Sequence, residues 1–141
     1  MKIQEAVKAY NTLSKANVKK MTLEGKMKVV RSVKVLKTVA QEFQEFSDLT
    51  QEKLKGEKHE HYTDVDIRLN SGDSSVDKSE VADTRCYFRK YNTEFFKCVH
   101  QEELRDVEVK VGKLTKKEFD DLLASNDFDA GTIADLSEIL Q

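Results

Sequence analysis

A proline-free segment, residues 22–55, repeats apolar side chains at alternating steps of three and four positions. This spacing places them on one face of an α-helix and predicts a single helix from Thr22 to Lys55, with Gly56 as its natural end. Such a helix would be about 50 Å long, whereas a compact domain of this chain length has a diameter of about 37 Å. We therefore expect the long helix either to bend or to be covered by another element.

Two further segments also show helical spacing of their apolar residues. They predict a short helix over residues 2–14 and a longer one from about Ser79 to Arg105, whose aromatic face is the richest in the chain. Such faces usually pack against another helix. We expect a helix–helix interface with the long helix, within one chain or between chains, formed by Val29, Val33, Leu36, Phe43, Phe88, Tyr91 and Phe95.

The clearest local signal is a helix-capping sequence near the end of the chain. Thr115 can accept a hydrogen bond from the amide of Glu118, whose carboxylate can accept one from the amide of Thr115. This reciprocal pattern predicts a helix that begins here and ends at Leu123 or Ala124. Asp129 is placed to cap one last helix.

Two short segments show the alternation of apolar and polar residues that is typical of β-strands. In residues 63–69 the apolar positions are Val65, Ile67 and Leu69, and in residues 107–111 valine occupies every other position. Because an isolated pair of strands is only marginally stable, we expect the two to pair in a small sheet supported by a helix.

These elements predict an α+β fold that is predominantly α-helical. We expect an antiparallel helical bundle built on the long helix, with a small two-strand β element and two short C-terminal helices, in a single domain covering residues 1–141. Within it, residues 1–56 form a helical hairpin and residues 57–78 a loop with a strand. Residues 79–141 form the aromatic helix, the second strand and the two short helices.

The formal charge of −2 conceals a strong asymmetry along the chain. Residues 1–37 contain ten Lys and Arg against two Glu, and the remainder is acidic. Opposite charges of this kind can set an antiparallel register between helices, in one chain or between two. The basic run could instead bind nucleic-acid phosphates, although it lacks interleaved aromatic residues and a known nucleic-acid module. The candidate anion or nucleic-acid contacts are Lys19, Lys20, Lys26, Lys28, Arg31 and Lys34.

No motif in the chain predicts catalysis. His59, His61, Asp64 and Asp66 are residue types that bind divalent metals, but histidines two positions apart share a face only in an extended segment, so we expect them to be solvated. The glycines are scattered singly, which argues against a phosphate-binding loop. We therefore expect no catalytic residues, no metal site and no cofactor, and a protein that is not an enzyme.

The sequence also predicts where the protein resides. It contains neither a run of about 18 apolar residues, as a membrane-spanning helix requires, nor the apolar segment of a signal peptide. Cys86 and Cys98 lie twelve positions apart on one predicted helix, too far for a disulfide. We expect a soluble cytoplasmic protein with reduced thiols and no contact with membranes.

The order of these elements resembles that of small helical proteins of tailed phages and prophages that have no assigned activity. The resemblance rests on Ala6–Asn11 in the first helix, the long Lys-rich helix, Phe95–Lys97, and Val107–Val111 before a capped acidic helix. It implies a phage-encoded accessory, assembly or host-interaction protein, located in the host cytoplasm. The function that we predict is non-enzymatic protein–protein interaction with self-association through helices, and the alternative is nucleic-acid binding.

Overall fold

The computed structural model describes residues 1–141 as six α-helices joined by loops. The helices are α1 (Ile3–Leu13), α2 (Leu23–Leu54), α3 (His59–Asn70), α4 (Lys78–Glu103), α5 (Lys116–Ala124) and α6 (Ala130–Leu140). No strand is present, and the one contact of β type is an isolated antiparallel bridge between Lys2 and Asp106. The protein is all-helical, so the prediction of an α+β fold with a two-strand element is wrong.

Five of the six helices confirm the sequence prediction to within two residues, and α3 is the exception because a loop and a strand were predicted there. Thr115 Oγ1 accepts a hydrogen bond from the amide of Glu118 at 3.2 Å, and Glu118 Oε1 accepts one from the amide of Thr115 at 2.9 Å. Asp129 Oδ1 accepts a hydrogen bond from the amide of Thr132 at 2.7 Å. These caps satisfy amides that have no partner inside the helix, which fixes where α5 and α6 begin.

The first predicted strand, residues 63–69, lies inside α3. Val65 is buried and Leu69 is half-buried, whereas Ile67 is 60% exposed. Val65 and Leu69 are four residues apart and therefore share one face of a helix. Val65 and Leu69 thus fit both the two-residue repeat of a strand and the 3.6-residue repeat of a helix. Alternation over so short a segment cannot distinguish the two.

The second predicted strand, residues 107–111, lies outside any helix but belongs to no sheet. Its three valines are half-buried while Glu108 and Lys110 are exposed, so the alternation does predict which side chains face inward. Val109 and Val111 pack against the hydrophobic core. No ladder forms because the predicted partner segment is helical.

The chain divides into two compact units, and α2 contributes to both. The first unit comprises Met1–Gln44 and Glu103–Gln141, and the second comprises Glu45–Glu102. The prediction of one domain over residues 1–141 stays a prediction.

The core of the first unit is built from α1, the first part of α2, α5 and α6. Its largest fully buried side chains are Leu36, Leu122, Leu136 and Leu140, each at most 1% exposed. Burying one leucine stabilises a fold by about 1.5–3 kcal/mol. Four leucines from α2, α5 and α6 therefore contribute much of the apolar burial that holds these three helices together.

The second unit is held together by aromatic side chains of α3 and α4. Tyr62 stacks on Tyr87 with ring centroids 4.6 Å apart, and His59 Nδ1 lies 2.6 Å from the hydroxyl oxygen of Tyr87. These rings are all half-buried, and Val65 is the only fully buried apolar residue of this unit. Ring packing takes the place of a deep aliphatic core here.

Candidate functional site

The first unit contains an open cleft of about 780 Å³ between α1, α6 and the extended segment 107–113. We call it the α1–α6 cleft. Its size lies in the range of cavities that bind ligands. Its lining comprises Met1, Gln4, Glu5, Lys8, Ala9, Thr12, Val109, Lys110, Val111, Lys113, Thr132, Asp135, Leu136, Glu138 and Ile139.

The floor of the cleft is apolar. Ala9 on α1 and Leu136 on α6 are 3% and 1% exposed and belong to the hydrophobic core. Val109, Val111 and Ile139 are half-buried and pack against that core. Because alanine is small, the side chain at position 9 leaves open space between α1 and α6.

Charged side chains form the rim. Lys8 Nζ lies 2.6 Å from Asp135 Oδ2 and joins α1 to α6, and this hydrogen bond, with the charge of Asp135, raises the pKa of Lys8. The two side chains are 66% and 48% exposed, so their ion pair contributes little stability. Breaking this ion pair therefore costs little free energy. Lys113 Nζ donates to the carbonyl oxygen of Ile139 at 2.8 Å.

The extended segment 107–113 is fixed near both ends. The amide of Val107 donates to the carbonyl oxygen of Met1 at 2.8 Å, and the main-chain nitrogen of Met1 donates to the carbonyl oxygen of Val107 at 3.4 Å. At the other end the amide of Gly112 donates to Oγ of Ser32 at 2.9 Å. Ser32 lies on α2 and is 0% exposed, so this side-chain acceptor is buried.

Gly112 allows the segment to approach α2 closely, because a Cβ atom there would lie 3.4 Å from the carbonyl oxygen of Lys28. Between the two fixed ends, the peptide groups of Glu108–Val111 make no hydrogen bond within the protein. Unpaired peptide groups of an extended segment are a template for pairing with another chain. The cleft therefore combines an apolar floor with open main-chain donors and acceptors.

The six predicted anion contacts differ in how exposed they are and in whether a carboxylate already neutralises their charge. Lys28 Nζ lies 2.7 Å from Glu118 Oε1 and 3.9 Å from Glu24 Oε1. The hydrogen bond from Lys28, followed by that from the amide of Thr115, lowers the pKa of Glu118. Lys26 is half-buried. The exposed residues of the set, none of which forms a salt bridge, are Lys19, Lys20, Arg31 and Lys34.

The predicted interface residues of the long helix lie mainly in the first core. Val29 and Leu36 are 3% and 0% exposed, and Val33 packs against the same core. Phe43 is half-buried at the end of this unit. The apolar face of this part of α2 is therefore covered within its own chain.

The predicted interface residues of α4 lie in the aromatic cluster of the second unit. Tyr91 stacks on Phe95 with centroids 6.4 Å apart, and the ring of His59 lies 5.9 Å from Phe88 and 5.0 Å from Tyr91. All three α4 residues are half-buried. Phe88 and Tyr91 therefore contact α3, the helix that contains the predicted strand, whereas Phe95 contacts Tyr91 and Phe96 of its own helix.

No group of three or more His, Cys, Asp or Glu side chains is arranged to hold a metal ion. His59 packs against Tyr87 and His61 against Tyr62, on α3. Cys86 is exposed and Cys98 half-buried, and both are free thiols.

The sequence predicts neither the cleft nor the buried acceptor Ser32. One signal for Ser32 was present, since it is a polar residue at helical spacing from Val29 and Leu36 on the apolar face of α2. The cleft had no such signal, because it depends on how far apart α1 and α6 lie.

No helix of the structure combines the length and the apolar character needed to cross a membrane. No family model, curated protein or solved structure matches the chain.

Proposed function

We propose that this protein is a protein–protein interaction module that binds a segment of a partner chain in the α1–α6 cleft. The observation that supports this most directly is the unpaired main chain of Glu108–Val111 beside an apolar floor. Apolar contacts would supply binding free energy, and the peptide groups would orient the bound segment.

Panning a displayed library of random linear peptides against the protein tests this proposal. We expect enriched peptides that bind the wild type and lose about tenfold or more in affinity, or about 1.4 kcal/mol, when Gln4→Trp fills the cleft. Gln41→Trp is the matched control, because Gln41 is an exposed glutamine on α2 that does not line the cleft. If no peptide is enriched, or if both variants bind alike, the cleft is not the binding site.

A second copy of the chain is one candidate partner. The exposed side of α2 carries Leu23, Met27 and Val30, which are 77%, 41% and 45% exposed and recur at helical spacing. Light scattering at micromolar concentration measures self-association. A dimer that Met27→Glu converts to a monomer would identify this stripe as the contact, and a wild-type monomer would eliminate self-association.

Nucleic-acid binding is the second candidate function, supported by the four members of the predicted set that are exposed and form no salt bridge, Lys19, Lys20, Arg31 and Lys34. Affinity for a random duplex should then fall steeply with salt, because each neutralised phosphate releases a counterion. Absence of binding at about 50 mM salt, where such contacts are strong, would refute it. A phage accessory role rests on the resemblance of element order, and the neighbouring genes test it.

A further inference from the structure

We infer that the α1–α6 cleft takes its ligand as an extended peptide, which adds to residues 108–111 as an antiparallel strand. This inference rests on the proposed function and specifies the class of ligand. A partner would be recognised by its main chain and by apolar side chains at alternate positions, and only secondarily by charge.

The antiparallel register is already set by α1 and the residues before it. Met1 and Val107 exchange both main-chain hydrogen bonds, and the amide of Ile3 donates to the carbonyl oxygen of Arg105 at 3.0 Å. This is the pattern of hydrogen-bonded pairs in an antiparallel ladder, in which such pairs recur at every second residue. The ladder can therefore continue along the segment beyond Val107.

The next positions on the same edge are Val109 and Val111. In an extended chain, the peptide groups of alternate residues point to the same side. The N–H and C=O groups of Val109 and Val111 thus lie on the edge that Met1 occupies at Val107, and they have no partner. Both residues line the cleft, so this open edge borders the space that a ligand would fill.

The opposite edge is closed at one end, because the amide of Gly112 donates to buried Ser32. Close to Gly112, an added strand can therefore pair only on the edge that borders the cleft. Residues directly opposite each other in a ladder place their side chains on the same face. Since Val109 and Val111 face the core, the ligand side chains opposite them would meet Ala9, Leu136 and Ile139 on the floor.

The dimensions and charge of the cleft suit a short peptide. Pairing along residues 108–111 spans about 10 Å at roughly 3.3 Å per residue, which corresponds to about four ligand residues. The charged side chains that line the cleft balance, so we expect no strong selection for the charge of the peptide. They are the cations Lys8, Lys110 and Lys113 and the anions Glu5, Asp135 and Glu138. A helical ligand would leave the peptide groups of Val109 and Val111 unpaired.

The register can be tested by supplying the strand in the same chain. An extension reading Val-Thr-Val-Thr, placed directly before Met1 and preceded by a new initiator methionine, would set its two valines opposite Val111 and Val109. The full-length fusion keeps the local concentration of the strand high. Replacing both valines by proline is the matched control. Proline keeps an apolar side chain, but it has no N–H to donate to the carbonyl oxygens of Val109 and Val111, and its ring occupies the space through which the two strands would pair.

We expect amide hydrogen exchange at Val109 and Val111 to slow by about tenfold or more in the Val-Thr-Val-Thr fusion, the effect of a hydrogen bond worth about 1.4 kcal/mol. The proline control should exchange like the unextended protein. Equal exchange in the two fusions would overturn strand addition.

Peptides enriched by panning provide a second test of whether the ligand binds as an extended strand. N-methylation of alternate ligand amides should weaken binding about tenfold at every second position, and N-methylation at the intervening positions should not. A loss without period two would overturn the extended mode while leaving protein binding intact. Failure to enrich any peptide would instead count against the proposed function, so the two failures are distinguishable.

Discussion

Ser32→Ala should loosen the extended segment that borders the cleft. The substitution removes the only hydrogen-bond acceptor of the Gly112 amide, at 2.9 Å, from a side chain that is 0% exposed. Leaving a buried donor unsatisfied costs about 1–3 kcal/mol. Because Gly112 itself is half-buried, water can reach it in part, and the lower half of that range is expected.

The measurement is urea unfolding monitored through NMR signals of residues in the first unit. A global probe would combine the unfolding of both units, because α2 contributes to both. With a slope of about 2 kcal/mol/M, a loss of 1–2 kcal/mol lowers the midpoint by about 0.5–1 M. Exchange of the Gly112 amide should accelerate in parallel. Thr38→Ala is the control, because Thr38 is exposed on the same helix and bonds only to its own helix at Lys34. An unchanged midpoint with unchanged Gly112 exchange would refute the role given to Ser32.

Three further perturbations test the packing and capping of the first unit by the same urea method. Leu36→Ala should lower the free energy of unfolding by about 2–5 kcal/mol because it leaves a cavity in the core. Val35→Ala is the control and should lower it far less, because Val35 is 36% exposed. Equal losses in the two variants would contradict the assignment of Leu36 to the core. Thr115→Ala should cost about 1 kcal/mol through loss of the α5 cap, and no loss would show that the cap is dispensable. The folded-state pKa of Glu118 is lower than its ordinary value of 4.5, so its contribution is complete above that pH and is lost as the pH falls through the folded-state value. Lys28→Met should reduce this acid-dependent loss, and an unchanged pH profile would contradict the Lys28–Glu118 pairing.

Most of the helices could be predicted because their signals are local. The helical spacing of Val29, Val33 and Leu36 predicts α2. Thr115 and Asp129 each accept a hydrogen bond from the amide three residues later, and these caps predict where α5 and α6 begin. The prediction of a strand at residues 63–69 was wrong because three apolar residues cannot distinguish a repeat of two residues from one of 3.6 residues.

The candidate site could not be predicted for a different reason. The alternation in Val107–Val111 correctly places the valine side chains inward, but it carries no information on whether a partner strand exists. The cleft requires that α1, α6 and this segment meet, and residues as distant in sequence as Ser32 and Gly112 fix that arrangement. Contacts of this kind leave no pattern in a single sequence.

Amide hydrogen exchange across residues 107–112, with and without a peptide enriched by panning, tests the open edge most directly. In the free protein, the amides of Val107 and Gly112 should be protected, since both are hydrogen-bonded, while those of Val109 and Val111 exchange rapidly. Bound peptide should then protect Val109 and Val111. Protection of Val109 and Val111 in the free protein, or no change when the peptide binds, would contradict the account of the cleft as a site for strand addition.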